Sequence, residues 1–454
     1  MSRNQDNIVV NLPADCIYEI VQYIIHDIKT LHSCVVLNRD YCQVVVRILW
    51  RNPFKHVKQD ENKMSLIFRT YFSCLDDQEK KQVTTFFRKS DFNFPKPFIN
   101  YPSFLQEFEI FNIQTSMRSF LYQYYSAPAT ENRINSVVHI LNPFMEKLFF
   151  NNQSNFKYLN VDLNDERNQI DMSSFDDKIL GYVLSNINKF TFGFGFRFDV
   201  KNILDHCSNL ETIELSSFYC NKSTDISELN KPIKSKLNNL KNFHITISYL
   251  PVLTLFKRII LMSNNDIKTL YYDKYITHSS IINITKLILP FCTNITHLFL
   301  RIFQKELCAI ISFLKSLNHL IFLKLDWDNY LKITQISELA LSFSSSLQIL
   351  EILEIDSSMI VTILRTLFQN MQCELKEVSI CMGSCIHDDI LNTIIDYARS
   401  KNNSLKVFRY SIITSYRYFC YQKLSKDVLE EARNLFTIDD NPEPFKRSFI
   451  EPIY

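Results

Sequence analysis

Residues 292–300 read CTNITHLFL, and the spacing of the apolar residues in this stretch decides the fold. Leu298 and Leu300 flank Phe299, the period of two that sends alternate side chains to opposite faces of a strand. Ile295 precedes Leu298 by three, which completes an L-x-x-L-x-L spacing where other aliphatic or aromatic residues can stand for Leu. The same spacing occurs at Leu210/Ile213/Leu215, Leu240/Phe243/Ile245, Ile267/Leu270/Tyr272 and Leu320/Leu323/Leu325. It continues at Leu350/Leu353/Ile355, Leu375/Val378/Ile380 and Leu405/Phe408/Tyr410, and weaker forms precede at Phe156/Leu159/Val161 and Ile187/Phe190/Phe192. From Leu210 on, the first positions are separated by 30, 27, 28, 25, 30, 25 and 30 residues. Near 350 the spacing also fits three residues earlier, as Leu347/Leu350/Ile352.

A strand-like core followed by a helical stretch, repeating at about 28 residues, is the signature of leucine-rich repeats. No such unit covers its own apolar face; stacking the units does, with the strands on the inner side of the array. Cys207/Leu210/Ile213/Leu215 and Cys292/Ile295/Leu298/Leu300 share the fuller form C-x-x-L-x-x-L-x-L, which resembles the cysteine-containing subtype often joined to F-boxes. The Asn or Cys expected after each strand is mostly missing, so the array is irregular. In L-x-L the middle residue and its follower point away from the core. The middle residues are Glu214, His244, Tyr271, Phe299, Lys324, Glu354, Ser379 and Arg409, and the followers include Asp273, Arg301, Asp326 and Asp356. A groove tracking phosphates would be uniformly basic. This face mixes signs and is expected to expose two aromatic rings, which suits a protein or peptide. Tyr271, Phe299, Arg301 and Lys324, on neighbouring repeats, are the candidate target-binding residues.

The other informative stretch is 12–54, LPADCIYEIVQYIIHDIKTLHSCVVLNRDYCQVVVRILWRNPF. Pro13 suits a first helical position. Ile17, Ile20 and Ile24 then form an apolar stripe, broken at His26-Asp27. A second helix over about 29–36 carries Leu31 and Val35. Asn38 or Asp40 can cap a third helix with Tyr41, Val45, Ile48 and Leu49, ended by Asn52-Pro53. The segment resembles an F-box. The resemblance rests on Leu12-Pro13, the Ile17/Ile20 stripe, Asp27, Leu31, Cys34 and Val36 before Asn38-Arg39, and the closing Leu49-Trp50; Tyr41 stands where the family commonly has Trp. It implies docking on the Skp-type adaptor of a Skp–cullin–F-box ubiquitin ligase. It also implies that Leu12, Pro13, Ile17, Ile20, Leu31, Val36 and Trp50 contact that adaptor or directly support the contact.

The organisation expected is α+β and multi-domain: a polar tail over 1–10, a three-helix F-box over 11–54, a helical connector over 55–150, an α/β leucine-rich-repeat solenoid over 151–436, and a cap or tail over 437–454. In the connector, Asp76 and Glu79 form a capping box for a helix through about Phe87. Residues 91–102 read as a loop, and helical patterns return over 104–125 and 134–150.

Composition excludes several other functions. Lys+Arg of 50 against Asp+Glu of 48 gives no basic excess for nucleic acid. Four glycines in 454 residues leave little for phosphate loops, and no Walker loop, dinucleotide fingerprint, H-E-x-x-H or nucleophile elbow occurs. No run of about 18 apolar residues predicts a membrane span. With no secretory leader visible, the 12 cysteines are expected to be reduced thiols and the location cytoplasmic or nuclear. Cys373, Cys381, Cys385 and His387 lack the tight pairing of zinc ligands, so neither metal nor cofactor is expected. The expected role is non-enzymatic: a substrate-recognition subunit with an unidentified protein target, or alternatively a non-ligase interaction scaffold.

Overall fold

Three short helices open the chain because each carries one apolar stripe and the second and third are capped by side chains. In the computed structural model, α1 is Ala14–Gln22, α2 Ile28–Val35 and α3 Arg39–Leu49. Pro13, expected at the first helical position, stands just outside α1 as its N-cap residue, with φ −54° and ψ 148°, so the helix begins one residue later, at Ala14. Asp27 accepts the Thr30 N–H at 3.1 Å and its hydroxyl at 2.6 Å, and the hydroxyl bond holds this carboxyl below the usual range. Asn38, not Asp40, caps α3 by accepting the Tyr41 N–H at 2.9 Å. The stripes of the three helices meet in a core of Ile17, Val21, Leu31 and Val45, with Ile24, Ile28, Tyr41, Val44 and Ile48 packed against it. Residues 12–439 are described except 56, 58–59, 86–93, 125–130, 152, 162–176, 194–203, 217–235, 248–257, 264–265, 275–291, 328–330, 356–358, 383–385 and 413–423. The expected polar tail 1–10 and most of 437–454 lie outside them.

The described chain divides into two compact units, one ending at Leu210 and one beginning at Glu211. The first adds α4 (Glu61–Ser73), α5 (Asp77–Thr84), α6 (Ile110–Tyr124), α7 (Glu131–Phe149) and α8 (Asp177–Ser185). It also holds the strands β1 (Glu107–Glu109), β2 (Tyr158–Asn160) and β3 (Lys189–Gly193). The Asp76/Glu79 capping box is present on α5, which ends at Thr84, earlier than predicted. The strands pair in parallel with Phe108, Leu159 and Phe190 in register. β1 lies inside the stretch read as wholly helical, where Leu105/Phe108/Ile110 carry the repeat spacing. The interior is built from rings: Phe68 against Phe120 at 5.7 Å, and Phe108 against Phe149, Phe150 and Phe156 at 5.6, 5.1 and 5.2 Å.

Among the described residues of the second unit nine strands follow in chain order, each parallel to the next. They are β4 (Thr212–Ser216), β5 (Asn242–Ile247), β6 (Thr269–Lys274), β7 (His297–Ile302) and β8 (Phe322–Trp327), then β9 (Ile349–Ile355), β10 (Glu377–Met382), β11 (Val407–Ile412) and β12 (Thr437–Asp439). Helices Leu307–Ser316, Ile333–Ala340, Ile360–Asn370, Asp388–Ser400 and Lys426–Leu435 follow β7 to β11 in turn. Ile360, Ile363, Leu364 and Leu367 illustrate why: they are buried at the i, i+3, i+4, i+7 spacing of one helix face. Mixed helix and parallel strand in this order is the arrangement of an α/β solenoid. β12 also shows that the segment from 437 begins as a strand. Arg409 holds it, bonding Asp439 at 3.2 Å and pairing with Glu377 on the other side.

One backbone arrangement recurs at the start of the strands. The carbonyl of Lys241 accepts two successive N–H groups of the next repeat, Lys268 at 2.7 Å and Thr269 at 3.0 Å. Lys268, Thr296, Ile321, Gln348 and Lys376 do the same for their successors. This fixes the register that the sequence left open: Leu350 pairs with Leu323 and Val378, so the motif is Leu347/Leu350/Ile352. The middle residue is therefore Glu351 and the follower Leu353, a correction to Glu354 and Asp356.

The same arrangement reaches the N-terminal helices. Arg51, just past α3, offers its carbonyl to Gln106 N–H at 3.0 Å and Glu107 N–H at 3.1 Å, and Gln106 relays to Lys157 and Tyr158 at 2.8 and 3.0 Å. The Asn52 amide donates to Glu107 at 2.8 Å and Glu109 at 3.2 Å, and Arg51 pairs with Glu107 at 3.2 Å. Trp50 is wedged between Tyr71 and Tyr101, with ring centroids 5.2 and 4.3 Å away. Tyr71 is fully buried, and its hydroxyl finds no hydrogen-bond partner among the described residues. Leaving a buried hydroxyl unpaired is costly, whereas the ring itself is worth several kcal/mol of packing. Thermal or urea unfolding should find Tyr71→Phe at least as stable as the parent, and Tyr71→Ala less stable by about 3–5 kcal/mol. A clear loss in Tyr71→Phe would mean the hydroxyl is bonded.

Candidate functional site

The N-terminal helices sort the predicted adaptor residues into two groups. Ile17 and Leu31 are 1% and 0% exposed and form the core, so they can only support a contact. Leu12 and Ile20 are 40% and 46% exposed, Val36 is 82% exposed, and Pro13 is exposed as well. Ile20 therefore leaves the stripe it was assigned to with Ile17, and Val21 takes the interior place. Sequence reading missed Tyr23 and Leu37, 89% and 63% exposed; the signal was Tyr23 lying three residues beyond Ile20 on the same helical face. Trp50 is half-buried and packs its ring against Tyr71 and Tyr101. The guanidinium of Arg47 lies 5.8 Å from the Phe104 ring, a second tie between α3 and the following segment.

The second surface is the strand face of β4–β9. Glu214, His244, Tyr271, Phe299, Lys324 and Glu351 occupy equivalent positions on successive strands. They touch in sequence. Glu214 lies 3.4 Å from His244 Nδ1. His244 stacks on Tyr271 at 5.4 Å, and Tyr271 on Phe299 at 4.1 Å with 12° between the planes. The Lys324 ammonium sits 5.7 Å from the Phe299 ring centre and is ion-paired with Glu351. Two residues on, Arg301 pairs with Asp326 at 3.4 Å. The structure thus brings Tyr271, Phe299, Lys324 and Arg301 onto neighbouring strands. Phe299 corrects an expectation: it is 2% exposed, with Tyr271 stacked on it and Lys324 over its ring, so of the two rings only Tyr271 is part-exposed. Toward the start of the strands, burial holds the His297 imidazole below its ordinary range, beside the Phe322 ring at 5.8 Å.

Cys207 and Cys292, the leading residues of the two fuller motifs, are fully buried, and burial pushes both thiols up to about 12. They act as small apolar core residues. Burial likewise raises Cys373 to about 11, Cys381 is half-buried, and Cys385 lies outside the described residues. Among the described residues no group of three or more His, Cys, Asp or Glu is placed to hold a metal ion, and no helix is long and apolar enough to cross a membrane.

No family model matches the chain, and no curated protein matches it significantly. Among solved structures, one titled "Crystal structure of Rad7 and Elc1 complex in yeast" is similar over 70% of this chain and 77% of its own, at 12% identity and a TM-score of 0.37. A likeness that low decides neither fold nor partner. The register of the strand face can be tested directly. A double-mutant cycle of Lys324→Met and Glu351→Gln should give a coupling of roughly 0.5–3 kcal/mol. Simple additivity would place the two side chains apart.

Proposed function

We propose that this chain is the substrate-recognition subunit of a Skp–cullin–F-box type ubiquitin ligase. In this reading the N-terminal helices dock on a Skp-type adaptor, and through it a cullin, while the strand face of the repeats binds a protein target. The reading is carried by the N-terminal helices: Leu12, Ile20, Tyr23, Val36 and Leu37 are apolar and exposed around a closed core. A grouping of large apolar side chains left to water marks an interaction surface. Each can contribute about 1.5–3 kcal/mol when covered, before the costs of association. The F-box resemblance of residues 12–54 supplies the identity of the partner. The receptor holds no catalytic residue of its own. It contributes proximity, turning an encounter between target and ligase into a near-intramolecular event, and the Arg51–Glu107 junction keeps the docking helices attached to the first repeat strand.

Pull-down with a purified Skp-type adaptor tests this. Leu12-Pro13→Ala-Ala and, separately, Ile20→Asp combined with Val36→Asp should each weaken binding by at least about tenfold, with unchanged helicity by circular dichroism. Undiminished binding in both variants would sink the assignment. Adaptor retained without any cullin would favour a non-ligase scaffold.

A further inference from the structure

The strand face carries its own counter-charges, which limits what it can recognise. Lys324 is paired with Glu351 and Arg301 with Asp326, each across one strand boundary. Glu214 has His244 beside it. At the outward positions on β4–β9 whose side chains are described, the carboxylates Glu214, Asp326 and Glu351 therefore face His244, Arg301 and Lys324. These groups are largely withdrawn from water: the side chains of Glu214, His244, Lys324 and Glu351 are 15%, 11%, 14% and 14% exposed. A phosphate on an incoming segment would have to pull Lys324 or Arg301 off its carboxylate and would then lie beside that carboxylate. An uncharged segment covers the pairs without opening them, and removing water strengthens each pair. Between the two charged ends lies the Tyr271–Phe299 stack. Phe299 is fully covered, so Tyr271 alone offers part of a ring, braced from beneath at 4.1 Å. A rigid aromatic group with an apolar face and a polar edge is the usual anchor of a protein contact.

We infer that this face captures its target through an uncharged segment that lays an aromatic or aliphatic side chain on Tyr271, and that it rejects phosphorylated segments. The inference rests on the receptor reading above and names its substrate class. Rejection follows from the closed pairs: recognition of a phosphate needs bases that are free to turn toward it.

The test pans two libraries on the immobilised full chain, a random peptide library and one with fixed phosphoserine or phosphothreonine. The parent is compared with Tyr271→Ala and Tyr271→Phe. The expected result is enrichment, on the parent, of peptides bearing an aromatic or large aliphatic residue and no net charge. Enrichment should persist in Tyr271→Phe, fall about tenfold in Tyr271→Ala, and be absent for phosphopeptides. Enrichment of phosphorylated, acidic or basic peptides would overturn the inference. So would enrichment that survives Tyr271→Ala, or no enrichment at all. Adaptor pull-down on the same preparations separates this outcome from failure of the receptor reading. Loss of peptide selection with adaptor binding intact rejects only the target class.

Discussion

Much of this molecule depends on a single backbone arrangement: one carbonyl accepting two successive N–H groups from the next repeat. It appears between Lys241 and Lys268/Thr269 and again at each step to Lys376 and Lys406/Val407. Because each accepting residue is itself a donor to the one before, the positions form a relay that sets strand register without reference to side chains. Buried backbone groups must be paired, so a slipped repeat would leave donors unpaired as well as turn its leucines to the wrong face. The relay also explains how a small helical module can be carried by a repeat array. Arg51 takes the position that Gln106, Lys157 and Lys241 take later, and Trp50 stands where Leu105, Phe156 and Leu240 stand. The end of the third helix is thus joined to the first repeat strand by the bonds that join repeats to each other.

The repeat strands were legible because their spacing is a local property of the chain. Two features were not. The strand Glu107–Glu109 was hidden because Leu105/Phe108/Ile110 is followed by two long helices before the next motif at Phe156, so no regular period points to it. The register near 350 was ambiguous because Leu347, Leu350, Ile352, Leu353 and Ile355 satisfy the spacing twice. Only pairing with Leu323 and Val378 separates the alternatives. Replacing Glu354 by Glu351 in the outward row then gives Lys324 its partner.

At the candidate sites, residue types were readable but exposure was not. Ile17 and Ile20 look equivalent in sequence, yet one is core and the other surface, because the core of three short helices accepts only one narrow stripe from each. Phe299 was expected to be open to solvent since its position alternates outward. Tyr271 on the adjacent strand, 28 residues away in the chain, stacks on it and the Lys324 ammonium lies over its ring; the repeat spacing makes these residues neighbours but does not show that one ring covers the other. The outcome, among the described residues, is a face where Tyr271 is part-exposed, Phe299 is buried and the ion pairs are closed, a different surface from the two open aromatics the pattern implied.

The claim on which the account turns is that the exposed apolar residues of the first two helices are a docking surface for an adaptor. Hydrogen–deuterium exchange of the full chain, alone and with a purified Skp-type adaptor, tests this most directly. The account predicts slowed exchange over the helices Ala14–Gln22 and Ile28–Val35 and their flanks, with the strands His297–Ile302 and Phe322–Trp327 unchanged. Unchanged exchange in both helices, or protection falling on the strands instead, would contradict it.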